Sequence, residues 1–99
     1  FIQTEEVVCF LAENKTVYLA DREGNRFVIN YNLETLEELL DPYRFFRINR
    51  KYIVHSKYIE LIKPYYNNRL KLTLRHIRPE EELIVSRDRV TLFRNWAEG

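Results

Sequence analysis

The sequence contains few of the residues on which most catalytic and metal sites depend. Its 99 residues include one cysteine, two histidines, two glycines and no methionine. Cys9 has no partner for an internal disulfide, which suits a reducing compartment, and we expect the chain to be cytoplasmic. His55 and His76 lie far apart and have none of the spacings that zinc ligands show. Two glycines are too few for a glycine-rich loop that holds phosphate.

Other catalytic arrangements have no better support. The acidic run Glu80–Glu82 falls in a predicted loop, where consecutive carboxylates rarely converge on a substrate, so we expect it to be solvated. Ser56, His55 and Glu60 supply the residue types of a hydrolase triad, but no nucleophile elbow accompanies them. The sequence therefore predicts no catalytic residue, no metal site and no cofactor.

The hydrophobic content is that of one folded domain. Apolar residues make up 45% and aromatic residues 14% of the chain, which argues against disorder. No apolar run approaches the roughly 18 residues of a membrane span, so we expect no membrane contact. The absence of repeats and Gly/Ser-rich linkers predicts a single domain over residues 1–99. Because the chain begins at Phe1 and lacks methionine, we expect it to be excised from a longer protein with a domain upstream.

The charges are distributed unevenly, although the formal net charge is only +1. Residues 1–43 hold three Lys or Arg and nine Asp or Glu, whereas residues 44–99 hold thirteen and six. Between residues 44 and 78 there are ten cations and one anion, Glu60. Such asymmetry is a sign of an electrostatic partner such as nucleic acid. The alternative is that solvated strand faces carry Arg and Lys, and composition alone does not decide between the two.

The segment from Arg44 to Ser56 combines residues that a fold buries with residues that stay charged. Its apolar side chains each gain roughly 1.5–3 kcal/mol on burial. Its cations must end in solvent or against an anion. These cations are Arg44, Arg47, Arg50 and Lys51. A segment anchored by its apolar residues can hold cations at fixed positions, as contact with a phosphate backbone or a base edge requires.

Alternating apolar and polar residues predict a mostly β, antiparallel domain. The predicted strands cover residues 6–12, 16–20, 26–31, 58–64, 69–76 and 83–85. Asn32 is predicted to cap a short helix with an acidic, solvated face turned away from any DNA, and Ser86 to cap a second helix. Cys9, between apolar neighbours, is predicted to be a small buried hydrophobe. The predicted polar turns are Glu13–Lys15, Asp21–Asn25 and Tyr65–Asn68.

Three stretches together resemble the LytTR family of DNA-binding domains. Residues 45–59 read FFRINRKYIVHSKYI and resemble the family pattern F-x-R-x-[HN]-R-[SK]-[YF]-[IL]-V-[NH]. Residues 69–74 read RLKLTL and resemble a later strand of the family. Residues 82–96 read ELIVSRDRVTLFRNW and resemble the family's closing VSR with a short helix. The resemblance covers nearly the whole chain, from about Glu6 to Trp96.

The resemblance implies a fold and a way of contacting DNA. The fold is an elongated, mostly β domain of about ten short antiparallel strands in small sheets, with one or two short helices. Family members contact double-stranded DNA through loops that enter successive major grooves and touch the intervening backbone. The matching positions of this sequence are Asn14, Lys15, Thr16, Asn49, Arg50, Lys51 and Arg87. Weaker candidates for contacts with the DNA backbone are Lys57, Arg69 and Lys71.

Several of these residues have an alternative role. Lys15 can be part of a hairpin turn and no more, and Arg87 can be simply solvated. Arg50 can form an ion pair with the acidic helix. Arg47 is in phase with the anchoring residues, so we expect it to be partly structural. His55 stands where many relatives have asparagine, and we expect it to be buried and hydrogen-bonded.

The resemblance favours a regulator over a general interaction module. We expect the output domain of a bacterial two-component response regulator, fused behind a receiver domain that a phosphorelay controls. Its partner would be promoter DNA, bound as pairs on repeated half-sites. The alternative is a protein–protein or dimerisation module with an incidental basic patch. The contact residues of that module would be Tyr65, Tyr66, Phe93 and Trp96.

Overall fold

A computed structural model describes residues 3–78 and 80–99. Within these residues the chain forms eight strands, two α-helices and four single turns of 3-10 helix. The strands are β1 (Val7–Glu13), β2 (Thr16–Asp21), β3 (Arg26–Ile29), β4 (Phe45–Arg47), β5 (Tyr52–His55), β6 (Ile59–Tyr65), β7 (Arg69–Leu74) and β8 (Leu83–Val85). The helices are α1 (Leu33–Leu39) and α2 (Val90–Glu98). The 3-10 turns are Thr4–Glu6, Ser56–Tyr58, Tyr66–Asn68 and Arg87–Arg89.

The strands form two antiparallel sheets. The first has the order β3-β2-β1-β5-β4 and the second the order β6-β7-β8. The predicted mostly β architecture of small antiparallel sheets with two short helices is confirmed. The described residues contain eight strands where the resemblance implied about ten. With dimensions of 37 × 28 × 27 Å, the domain is only slightly elongated.

Strand β1 lies at the centre of the first sheet and is covered on both faces. Val8 and Leu11 belong to a core between the two sheets, whereas Val7 and Phe10 pack beneath α1. Cys9 is fully buried in the core between the sheets. Burial raises the pKa of its thiol to about 12, because the thiolate would be desolvated there. The prediction of a small buried hydrophobe is confirmed.

The second sheet and α2 close the other side of this core. Along β7 the side chains of Leu70, Leu72 and Leu74 are buried, and the intervening residues are partly exposed, as the period of two predicts. Phe93 of α2 is fully buried and meets Phe46 edge to face, with ring centroids 5.5 Å apart. The core therefore draws on both sheets and on the last helix.

The turns follow the local sequence signals. Gly24 has a φ of 86°, and the paired hairpin residues Asn67 and Asn68 both have a φ of 58°. Asn32 caps α1, since its Oδ1 accepts a hydrogen bond from the Thr35 amide at 2.8 Å. These predictions are confirmed.

The predicted cap at Ser86 is wrong. No side-chain cap is formed there, and the chain passes through the 3-10 turn Arg87–Arg89 before α2 begins. The Ser86 amide donates to the Ile48 carbonyl at 2.9 Å, and its Oγ lies 3.3 Å from the same oxygen. Ser86 therefore joins the second sheet to the first, because a long-range bond replaces the local one.

His55 is buried at the end of β5, as predicted. Its Nδ1 accepts a hydrogen bond from the Lys57 amide at 3.0 Å. The rings of Phe45 and Tyr58 pack against it, with centroids 4.6 and 5.6 Å away. Burial lowers the pKa of the imidazole, and the positive charges of Arg44 and Lys57 lower it further. The fold therefore favours the neutral form of this histidine.

We expect this histidine to make stability depend on pH. The pKa of His55 is lower in the folded protein than in the unfolded chain. The contribution of the neutral imidazole to the free energy of unfolding is therefore fully present above about pH 6.5, and it is lost as pH falls through the folded pKa. In the variant His55→Asn, the side-chain oxygen can still accept from Lys57, but it does not titrate. Urea unfolding at about pH 7.5 and about pH 5.5 should show a smaller pH effect in the variant. Equal pH effects in the two proteins would contradict the prediction.

Candidate nucleic-acid interface

Three chain segments meet at one end of the strands. The β1–β2 hairpin lies beside the loop between β4 and β5, because the Ala12 amide donates to the Lys51 carbonyl at 2.8 Å. The turn after β8 lies beside the start of that loop, through the bond from Ser86 to Ile48. We call residues 13–16, 48–51 and 86–89 together the interface edge. The sequence-predicted residues Asn14, Lys15, Thr16, Asn49, Arg50, Lys51 and Arg87 all lie on it.

The hairpin tip presents Lys15 to solvent. Asn14 and Lys15 have φ values of 51° and 65°, the left-handed conformation of a two-residue hairpin turn. Both side chains are exposed, whereas Thr16 is partly buried and pairs with Glu13. Lys51 is tied to the same tip, with its Nζ 3.8 Å from a carboxylate oxygen of Glu13.

Asn49 organises the loop between β4 and β5. Its Oδ1 accepts from the amides of Lys51 and Tyr52 at 2.7 and 2.9 Å. Its Nδ2 donates to the Ile84 carbonyl on β8 at 2.7 Å. The amide thus links the loop to the second sheet, and most of its hydrogen-bonding capacity is used inside the protein.

Arg50 and Arg87 are exposed cations on this edge. Arg50 stands between Ile48 and Tyr52, which are both buried, so its backbone is held in place. Within residues 3–78 and 80–99, neither guanidinium forms a salt bridge. Both are therefore available to an external anion, and the alternative of an ion pair between Arg50 and the acidic helix is not realised.

A basic cleft of about 600 Å³ separates the loop from the turn. Its lining residues are Arg47, Asn49, Arg50, Lys51, Ser86, Asp88 and Arg89. Four of these are cations and one is an anion. Arg89 was not predicted as a site residue; it donates to the Arg47 carbonyl at 3.2 Å and is partly exposed. The sequence predicts a helix from Ser86 onward, and a position within a helix does not show which way the Arg89 side chain points.

Arg47 forms the two shortest ion pairs of the acidic helix. Its Nη1 lies 3.0 Å from Glu34 and 3.1 Å from Glu37. The hydrogen bond from Arg47 lowers the pKa of Glu34 below its ordinary value. The expectation that Arg47 is partly structural is confirmed. The acidic face is exposed to solvent, as expected, but two of its carboxylates also pair with Arg47 on the strand that leads into the interface edge.

Glu81 also departs from the solvated role predicted for its run. It accepts a hydrogen bond from the Tyr52 hydroxyl and pairs with Arg26, both at 2.5 Å. The bond from Tyr52 and the charge of Arg26 lower the pKa of this carboxyl. The carboxylate therefore connects the strand β3, the strand β5 and the segment before β8. Pro79, in the same predicted connection, lies outside the described residues.

The weaker candidates are divided between the two ends of the domain. Leu70 pairs with Val85, so Arg69 lies beside Ser86 and extends the interface edge. Arg69 stacks on the Tyr65 ring, 5.0 Å from its centroid. Lys71 follows on the same face and lies 3.9 Å from Glu82. Their side chains border the candidate site without belonging to its centre.

Lys57 lies at the opposite end of the strands. Tyr52 begins β5 at the interface edge, and Lys57 comes after the far end of that strand. Four strand residues span roughly 10 Å, so the fold separates Lys57 from Arg50.

In the described residues, no group of three His, Cys, Asp or Glu side chains is arranged to hold a metal ion. The same residues contain no helix that is long and apolar enough to cross a membrane.

Comparison with known proteins agrees with this fold and shows the family. The family model of the LytTr DNA-binding domain matches residues 1–98, so the chain belongs to that family. Among solved structures, the chain is similar to a domain from Bacillus cereus described as the LytTr DNA-binding domain of a methyl-accepting/DNA response regulator. The two are 25% identical, with a TM-score of 0.84 over 96% of this chain and 84% of that one. A sequence search of curated proteins found no match.

We expect Asn49→Ala to destabilise the domain by about 2 kcal/mol, because two amides and one carbonyl lose their partner. Asn95→Ala is the matched control. Its side chain is exposed on α2, so its effect should stay within about 0.5 kcal/mol. Urea unfolding of both variants checks this, and equal stabilities would show that the Asn49 bonds contribute nothing.

Proposed function

We propose that the chain binds double-stranded promoter DNA in a sequence-specific manner through the interface edge. The hairpin tip with Asn14, Lys15 and Thr16, the loop 49–51 and Arg87 would enter successive major grooves. The observation that carries the proposal is the position of Arg50 and Arg87. These exposed guanidinium groups have no salt-bridge partner among residues 3–78 and 80–99, and they lie on the same edge as the hairpin tip, next to a basic cleft.

The chemistry of this edge suits both parts of DNA recognition. An Arg fork held by a fixed backbone can donate two hydrogen bonds to guanine O6 and N7, worth about 1–3 kcal/mol of base discrimination. Lys51 and Arg89 on this edge, and Arg69 and Lys71 beside it, lie at points suited to phosphate contacts, which add affinity without sequence preference. The longest dimension of the domain, 37 Å, is close to the roughly 34–36 Å of one DNA turn. In this proposal Asn49 positions the loop, and Lys57 contacts DNA only if the duplex bends around the domain.

The biological setting is the second part of the proposal. The chain would be the output domain of a bacterial two-component response regulator, with a phosphorelay-controlled receiver domain upstream and a place in the cytoplasm. It would bind as pairs on repeated half-sites. Support comes from membership of the LytTr family and from the description of the Bacillus cereus relative as part of a response regulator.

The alternative of a protein–protein module has lost part of its basis. Of its four aromatic residues, Phe93 is fully buried in the core. Trp96 is only partly exposed, and its indole N–H donates to the Pro42 carbonyl at 2.9 Å. Tyr66 remains the most exposed member, at 75%. Two of the four side chains thus serve the fold.

Selection from a random pool of duplexes tests the proposed function. The selected duplex should be bound more tightly than a scrambled duplex of the same composition in a gel shift. Solution mass, measured without DNA, separates the alternative. A tight dimer that ignores both duplexes would contradict the proposal and favour the interaction module.

Binding should depend steeply on salt, because the cations of the edge would displace counterions from the DNA. With about five neutralised phosphates, the slope of log K against log[salt] should be about −4 to −5. Fluorescence anisotropy across a salt series measures this slope. A slope near zero would show that phosphate contacts are not formed.

Arg50→Ala and Lys71→Ala should have different effects. Removing Arg50 should weaken binding to the selected duplex by about 1–3 kcal/mol and reduce sequence preference. Removing Lys71 should weaken binding to all duplexes alike and make the salt slope shallower by about one. Competition binding with single-base variants of the selected duplex distinguishes them. If Arg50→Ala kept full preference, its assignment as a base contact would be wrong.

A further inference from the structure

Arg47 uses every nitrogen of its guanidinium inside the protein. Its Nε donates to the Asn49 carbonyl at 3.0 Å, and its Nη2 donates to the Arg50 carbonyl at 3.1 Å. Its Nη1 lies between the carboxylates of Glu34 and Glu37, at 3.0 and 3.1 Å. With only 10% of its side chain exposed, it has little surface to offer DNA.

The two carbonyls bound by Arg47 belong to the loop of the interface edge. Their hydrogen bonds constrain the peptide planes on both sides of Arg50, and hence the direction of its side chain. A second arginine supports the arrangement, because Arg89 donates to the Arg47 carbonyl and lies 4.0 Å from Glu37. The Arg47 side chain thereby connects the strand β4 to helix α1 and the loop, and the Arg89 side chain adds the turn after β8.

We propose that Arg47 is a positioning residue for specific DNA binding, and that Glu34 and Glu37 hold it in place. Arg47 fixes the loop so that Arg50 meets a base edge in one orientation. This inference rests on the proposed function. It also gives α1 a role in recognition, although its negative charge opposes the approach of DNA.

The role requires arginine and not merely a positive charge. A guanidinium is a planar fork with five N–H donors, and here it spans two carbonyls and two carboxylates at once. A lysine carries the same charge on a single nitrogen, which cannot span these acceptors. Arg47→Lys therefore removes the geometry and preserves the electrostatic attraction to DNA.

The first experiment compares Arg47→Lys with Arg44→Lys. Arg44 comes directly before β4, at the end of that strand that is far from the interface edge, and it pairs with Asp41 at 3.3 Å. It is therefore a matched control. Arg47→Lys should bind the selected duplex about tenfold more weakly, which is the effect expected when one hydrogen bond to a charged group is lost. Its affinity for the scrambled duplex should be unchanged. Arg44→Lys should match the wild type on both duplexes. Hydrogen exchange at the Lys51 and Tyr52 amides should be faster only in Arg47→Lys.

The second experiment compares Glu37→Gln with Glu38→Gln. Each variant removes one negative charge from α1, and charge alone predicts tighter binding to every duplex. Glu38 is exposed and forms no salt bridge within the described chain, so its variant should strengthen binding to both duplexes by the same factor. Glu37→Gln should strengthen binding to the scrambled duplex and weaken binding to the selected one. The two effects of this variant have opposite signs.

The outcomes separate this inference from the proposed function. A wild type that does not prefer the selected duplex would overturn the proposed function, and the inference with it. If the wild type shows preference and Arg47→Lys keeps the same affinity ratio, the positioning role is wrong. It is equally wrong if Arg47→Lys loses both affinities together. Should Arg47→Lys fail to fold, the Glu37→Gln comparison decides, and equal tightening on both duplexes would overturn the role.

Discussion

The hydrogen bond from the Ser86 amide to the Ile48 carbonyl is the link on which the arrangement of the interface edge depends. Ile48 is fully buried between the sheets, so the loop that follows it starts from a fixed point. Ser86 directly follows β8 and begins the turn that carries Arg87. A single backbone contact at 2.9 Å thus brings two cationic segments, distant in sequence, to the same end of the domain.

The cations near this link divide into two groups according to burial. A charge that loses water must gain partners, because an isolated buried ion is strongly unfavourable. Arg47 is nearly buried, and each nitrogen of its guanidinium has a carbonyl or a carboxylate partner. Arg50, three residues later, is exposed to solvent and has no carboxylate partner in the part of the chain that the structure describes. The same short segment therefore supplies a structural cation and an exposed one.

Local signals in the sequence predicted most of the fold. The alternation along β7, the helix cap at Asn32 and the asparagine pair in the β6–β7 turn each depend on neighbouring residues. The contacts that were not predicted join residues that are distant in sequence. Glu81 meets Tyr52 across 29 positions, and Ser86 meets Ile48 across 38. For the same reason the sequence predicted a partly structural Arg47 and an acidic helix face, but it did not predict that the two contact each other.

The burial of Cys9 limits how this domain can react with oxidants. Sulfur in proteins is oxidised at exposed methionine or at accessible thiolate. This chain has no methionine, and its one thiol is enclosed in the core with a pKa of about 12. Peroxide and similar oxidants therefore find no reactive sulfur in the folded domain, and its contacts should persist through oxidative stress that inactivates thiol-dependent proteins.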